Sequence, residues 1–150
     1  MKNQPEHNLQ VACVQWLRLQ YPYLRPIFFA VPNGGYRTAT TAAIMKSEGV
    51  NRGVSDLILD LPTIQHHGLR IEMKWKTQQS QEQKIYQQAV QSCGYKYVVI
   101  HSKEEFIDTI NQYVALADRN VIARLVTLQA VIQEQEIKRA KDKLKQITQK

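Results

Sequence analysis

The chain has 150 residues, 43% hydrophobic and 22% charged, with a formal net charge of +7 and a pI near 9.5. That length suits one domain with a real hydrophobic core, and the basic balance favours a polyanionic partner, nucleic acid before membrane. No stretch approaches the roughly 18 apolar residues of a membrane span; the opening MKNQPEHNLQ has no apolar signal-peptide core, so cytoplasmic residence is the expectation.

Glu6 to about Gln20 predicts a helix: Leu9, Cys13, Trp16 and Gln20 recur at helical spacing and Leu17 widens the apolar face. Pro5 suits its first turn, and Pro22 with Pro26 marks the exit. Ile27 to Val31 is a short apolar strand, followed by a Pro32-Asn33-Gly34-Gly35 turn. Thr38 to Glu48 predicts a second helix, stopped by Gly49. Asp56 to Leu61 and Leu69 to Lys76 read as strands. In the second, apolar Leu69, Ile71, Met73 and Trp75 alternate with charged Arg70, Glu72, Lys74 and Lys76, the period of a half-buried strand. The PTIQHHG connection is short, which predicts an antiparallel pair.

Ser80 with Gln83 fits a capping box opening a helix that runs to about Ser92 and ends near Gly94. Tyr95 to His101, YKYVVIH, is an apolar strand. Strand, helix and strand over this distance suggest a right-handed parallel crossover. Ser102 then caps a helix from Lys103 to about Ala117, with Glu104 and Glu105 in its favoured first turn. From Arg119 onward there is no Gly or Pro. Val121, Leu125, Leu128 and Ile132 follow heptad steps, as do Ile137, Ala140, Leu144 and Ile147 after a shift of frame. Six Lys or Arg against one Asp lie between Lys138 and Lys150. This tail either packs its stripe on its own domain or docks on a second subunit.

Cys13 and Cys93 form no CxxC pair and read as two buried reduced thiols. With no other ligand at suitable spacing, the adjacent His66 and His67 give little support for structural zinc; they read as loop residues, with contact to a substrate left open.

Glu72 and Lys74 share one face of their strand, and Asp56 on the neighbouring strand can bring a second carboxylate beside Glu72 if the register allows. Two carboxylates in one cleft repel unless a cation lies between them, and oxygen donors suit Mg²⁺ or Mn²⁺. The Met73 carbonyl lies between the two functional side chains and offers another oxygen. Lys74 beside such a site could orient a water or stabilise developing negative charge. These parts suit phosphodiester hydrolysis. The plainer alternative is a solvated strand face making ordinary cross-strand pairs.

The PNGGYR segment reads either as a tight turn needing glycine or as a close backbone approach to phosphate, with Tyr36 and Arg37 as contacts. Asn33, Gly34 and Gly35 belong to the same candidate nucleic-acid surface, and Arg52 and Lys76 are further candidates for phosphate contacts.

Several pieces, in order, resemble the virus-type replication-repair nuclease domain (VRR-NUC), a branch of the PD-(D/E)xK nuclease superfamily. They are Glu6 with Gln10, PNGGYR, EGVNRGVSDLIL from Glu48, HGLRIEMK from His67, SQEQ from Ser80 and GYKYVVIHSKEEF from Gly94. The resemblance covers about residues 6 to 115. It implies an α/β, restriction-endonuclease-like core with a mixed central sheet flanked by helices, here followed by a long C-terminal helix. It implies that Asp56, Glu72 and the Met73 carbonyl hold the metal, with Glu6 as a further acidic ligand. Lys74 then acts on the water, and Gln83 and Gln10 are polar site residues. Ser55 departs from the superfamily's usual Pro before the Asp, which bears on turn geometry more than on chemistry.

The expected organisation is a nuclease domain over 1–118 and a basic helical extension over 119–150 that serves dimerisation. The expected activity is a Mg²⁺- or Mn²⁺-dependent, structure-selective DNA endonuclease. By family analogy it resolves four-way (Holliday) junctions as a homodimer, because two symmetric cuts need two sites. The alternatives are a flap- or end-processing nuclease, a catalytically silent DNA-binding module, and a protein-interaction domain centred on the C-terminal helix.

Overall fold

Two short apolar segments with period-two alternation form the centre of the sheet. In a computed structural model, which describes residues 5–32 and 38–148, β2 (Leu57–Leu59) pairs antiparallel with β3 (Leu69–Met73). β1 (Phe28–Ala30) lies antiparallel on the outer side of β2, and β4 (Lys96–Ile100) lies parallel to β3, giving the order β1-β2-β3-β4. The connection from β2 to β3 is too short for a crossover. The one from β3 to β4 contains α3 (Gln81–Ser92), as parallel neighbours require.

One face of the sheet presents Leu57, Leu59, Leu69, Ile71, Met73 and Ile100, all buried. Against it α1 (Pro5–Gln20) packs Cys13 and Leu17, and α4 (Lys103–Ala115) packs Phe106, Ile110 and Tyr113. At about 25 cal/mol per Å², each such side chain contributes roughly 1.5–3 kcal/mol on burial, which holds the polar second face in place. That second face carries Glu72 and Tyr97, and α3 meets both through Gln83 and Tyr86. The result is a mixed sheet between helices, the α/β architecture expected.

The helix starts follow the predicted chemistry. Thr38, Ser80 and Ser102 each accept a backbone N–H three residues on, opening α2 (Ala39–Ser47), α3 and α4, and Ser80 with Gln83 completes the capping box. Gly49, at φ 91°, ends α2.

Two expectations are corrected. The strand expected to reach Lys76 stops at Met73, because the Ile100 carbonyl at the end of β4 takes the Lys74 N–H and leaves no strand for the chain to follow. Trp75 therefore faces outward, 41% exposed, and Lys76 turns to φ 56°. Cys93 is exposed, since it caps a helix with no buried residue, whereas Cys13 is buried as expected. His66 and His67 lie in the loop before β3, as expected, six and five residues from Glu72, or about 17–20 Å of chain at roughly 3.3 Å per residue; His67 packs edge-on to Tyr95 there.

For α5 (Arg119–Thr148) the sequence leaves two readings open, packing on its own domain or on a second subunit. Its first apolar stripe does have a partner in the core: Val121, Ile122 and Leu125 pack on it, half-buried, while Leu128 remains 45% exposed. Among the described residues no helix is long and apolar enough to cross a membrane.

Candidate active site

Asp56 stands one residue before β2. Extending the pairing of Leu57 with Ile71 by one step sets Asp56 opposite Glu72 on the face away from the core. Directly opposed residues lie about 5 Å apart, so two carboxylates share one end of the sheet. The Asp56 Oδ2 accepts the Met73 N–H at 2.8 Å, which ties its side chain to the backbone between Glu72 and Lys74.

Glu72 is fully buried and surrounded by donors. Lys74 Nζ lies 2.9 Å from Oε1 and Gln83 Nε2 also donates to Oε1, while the Tyr97 hydroxyl donates to Oε2 at 3.2 Å. Glu6, in the first turn of α1, accepts the Trp75 N–H on Oε2 at 3.3 Å, which brings the first helix to the end of β3. Gln10, half-buried, lies one turn further along α1.

Electrostatics follow from burial and from this like-charge pairing. Burial, and then the neighbouring Asp56, push the Glu72 carboxyl up to about 7, against the opposing pull of Lys74 and Tyr97. Burial also raises Asp56, although the Met73 N–H and Lys74 lower it. For Lys74 burial acts downward, but the hydrogen bond to Glu72 and the charges of Glu72, Glu6 and Asp56 outweigh it, so the ammonium is held above its ordinary range. Burial and Glu72 raise the Tyr97 phenol, which keeps it a donor. The site thus holds more negative charge than its one ammonium neutralises.

The donor set fits a hard divalent cation. Asp56, Glu72 and the Met73 carbonyl are all oxygen donors beside an acidic cluster, and Mg²⁺ completes its shell with waters. Among the described residues no three His, Cys, Asp or Glu come together as a ready-made metal site, and Glu6 is engaged with Trp75. Asp56, Glu72 and the Met73 carbonyl could hold such a cation, with Glu6 as an addition.

Beside this cluster opens a cleft of about 950 Å³, lined by Asp56, Gln83, Gly53, Arg52 and, from α2, Lys46. Gly53 closes its floor. At φ 83° its Cα presses against the start of α3, where a Cβ would stand 2.5 Å from the Glu82 carbonyl carbon. That close approach is what glycine permits, and it seats the α3 N-terminus, and so Gln83, beside Glu72.

Arg52 is exposed at the cleft; the carboxyl of exposed Glu82 is lowered first by hydrogen bonds from its own backbone N–H and from Ser80, and then by the Arg52 charge. Lys76 is exposed too, its ammonium 5.7 Å from the Trp75 ring centroid, outside that cleft lining. Asn33, Gly34, Gly35, Tyr36 and Arg37 lie outside the described residues. Arg70, on the same strand face as Glu72, pairs with Asp60 at 2.9 Å across β2 and β3. Ordinary cross-strand pairing thus describes the outer end of this face, and a buried acidic cluster its inner end.

Sequence reasoning missed Tyr97 and Lys46. For Tyr97 a signal existed: YKYVVIH alternates, and a parallel neighbour of β3 with Tyr97 opposite Arg70 puts the phenol beside Glu72. For Lys46 nothing local distinguishes it from any lysine near a helix end.

No known family's sequence profile matches the chain, and no curated protein matches it. A solved structure described as a VRR_NUC domain protein superposes with a TM-score of 0.67 at 29% sequence identity, over 79% of this chain and 94% of that one. The mixed sheet between helices and the acidic end of β3 define a restriction-endonuclease-like fold of the nuclease class. Within that class the likeness to this structure supports a VRR-NUC domain.

Proposed function

We propose that the protein is a Mg²⁺- or Mn²⁺-dependent DNA endonuclease, an endodeoxyribonuclease that hydrolyses phosphodiester bonds in branched DNA. The observation that carries this reading is the buried Glu72–Lys74 pair, with Asp56 opposite Glu72 at the mouth of a cleft. In hydrolysis a water oxygen bonds to phosphorus, one bridging P–O bond breaks, and the departing oxygen takes up a proton.

Asp56, Glu72 and the Met73 carbonyl would hold the cation, with Glu6 adding a carboxylate. The cation supplies Lewis acidity and lowers the pKa of a bound water. Lys74, kept protonated by its acidic neighbours, orients the attacking water and stabilises negative charge developing on the phosphate. Tyr97 and Gln83 hold the Glu72 carboxylate in one orientation, and Gln10 supports the Glu6 side of the site. Lys46 and Arg52 line the cleft and serve as phosphate contacts; Lys76, Tyr36 and Arg37 are assigned further phosphate contacts from the sequence.

Shape-selective recognition follows from the absence of any helix-turn-helix or zinc-finger signature in the sequence. A four-way junction resolved by a homodimer is the preferred substrate, with flap or end processing as the alternative. Residues 1–118 supply the nuclease domain; 119–150 form an extension whose Lys138, Arg139 and Lys145 lie against DNA arms. Residence in the cytoplasm suits this role.

The test incubates the protein with labelled four-way, flap and linear DNA in Mg²⁺, Mn²⁺ or EDTA. Cleavage of the four-way junction in either metal and none in EDTA is expected. Binding without cutting in any metal overturns the enzyme reading in favour of a silent DNA-binding module.

A further inference from the structure

Past Leu125, α5 carries a second apolar stripe, distinct from the one its own domain uses. Val126, Ala130, Ile137, Ala140, Leu144 and Ile147, with Gln133 as the one polar position, recur in unbroken steps of four and three. That is the seam of a two-stranded coiled coil. At 100° per residue it lies about a third of a turn round the helix from Val121, Leu125, Leu128 and Ile132. The change of heptad frame in the sequence therefore turns the apolar stripe to another side of the helix. Val126, Ile137, Leu144 and Ile147 are 49%, 55%, 65% and 75% exposed.

The residues flanking this seam are charged in blocks, Glu134 and Glu136 in one turn, Lys141 and Lys143 two turns on. Such a helix complements a copy of itself running the opposite way. An antiparallel pair with Ile137 packed against Ala140 of a second copy sets Glu134 against Lys141 and Glu136 against Lys143. The twofold axis repeats each pair, so all eight flanking charges are matched. The same register places Ala130 against Ile147, small side chain against large, which keeps the seam evenly filled. A parallel pair matches only Glu136 with Lys141 and stacks Ala140 on Ala140.

We propose that the outer half of α5, from Ala130 to Ile147, pairs antiparallel with the same segment of a second copy of this chain. This deepens the homodimer proposed above by naming its surface and direction, and its test reads no nuclease activity. The pairing sets the two nuclease domains at opposite ends of the helix pair, with the two Val126 about 40 Å apart at 1.5 Å rise per residue.

Sedimentation equilibrium on the full chain tests the charges. The Glu134→Lys/Glu136→Lys chain and the Lys141→Glu/Lys143→Glu chain should each self-associate at least tenfold more weakly than the parent, and an equimolar mixture of the two should restore the dimer. Direction is read by disulfide trapping in a Cys93→Ser background. A chain with Gln133→Cys mixed with one carrying Leu144→Cys should cross-link, and neither should do so alone. A monomeric parent, charge-reversed chains that dimerise as the parent does, or a mixture that stays dissociated overturns the proposal. Cross-linking by the Gln133→Cys chain alone overturns the antiparallel direction.

Discussion

Glu72→Gln should make the metal-free protein more stable while abolishing cleavage. Glu72 has no exposed surface, and its carboxyl titrates near 7 instead of 4.5, first because of burial and then because of Asp56. At about 1.4 kcal/mol per pH unit of displacement, ionising it inside the fold costs roughly 3 kcal/mol. The sign is that of a raised acid: between pH 4.5 and about 7 the folded state binds more protons than the unfolded one, so this group's contribution declines as pH rises and is lost above 7. Glutamine keeps the shape. Its amide oxygen can accept from Lys74 and its NH₂ can donate to the Tyr97 oxygen, with no charge to bury. Urea unfolding of parent and variant in EDTA, from pH 4.5 to 8.5, checks this. The variant's advantage should approach roughly 3 kcal/mol at pH 8 and shrink toward zero at pH 4.5. Mg²⁺ should stabilise the parent and not the variant. Equal stability at both ends, or a variant less stable than the parent at pH 8, refutes the claim that the site stores uncompensated negative charge.

Asp56→Ala and Lys74→Ala should each remove most cleavage, on the order of a hundredfold or more, and leave binding to four-way DNA within a few-fold in a gel-shift titration, because affinity comes mainly from Lys and Arg on phosphates. Glu6→Ala and Gln83→Ala should give slower enzymes in the same assay. Gly53→Ala should destabilise by about 2 kcal/mol in urea, since it forces both a positive φ and a Cβ into the Glu82 backbone, and the cleavage rate should fall as Gln83 shifts. Ending the chain at Asp118 should lower the thermal midpoint, because it strips Val121, Ile122 and Leu125 from the core; ending it near Gln133 should lower it less, since those core contacts stay and only the pairing with a second copy is lost.

Much of the fold is legible from local chemistry. Alternation over Leu69 to Met73, hydroxyl caps at Thr38, Ser80 and Ser102, and the shortness of PTIQHHG each act within a few residues, so each reads directly from the sequence. Asp56, Glu72 and Lys74 stand out because three charges interrupt apolar strands, and their types alone limit the chemistry. Their mutual geometry is a tertiary matter. A one-residue slip between β2 and β3 would turn Asp56 to the other face, and no local propensity forbids it; burial of Leu57 and Leu59 against α1 and α4 does. Tyr97 becomes a partner of Glu72 only once β4 pairs parallel with β3 in this register, and Glu6 reaches Trp75 only because α1 packs across the end of the sheet. Trp75 shows the limit most plainly. The alternation predicts it buried, but a strand lasts only as long as its neighbour, and β4 ends at Ile100. The two heptad frames of α5 are visible in the sequence, yet which one faces the domain depends on where the 3₁₀ helix Pro22–Ile27 lies, and that position is decided by the packing of the whole core.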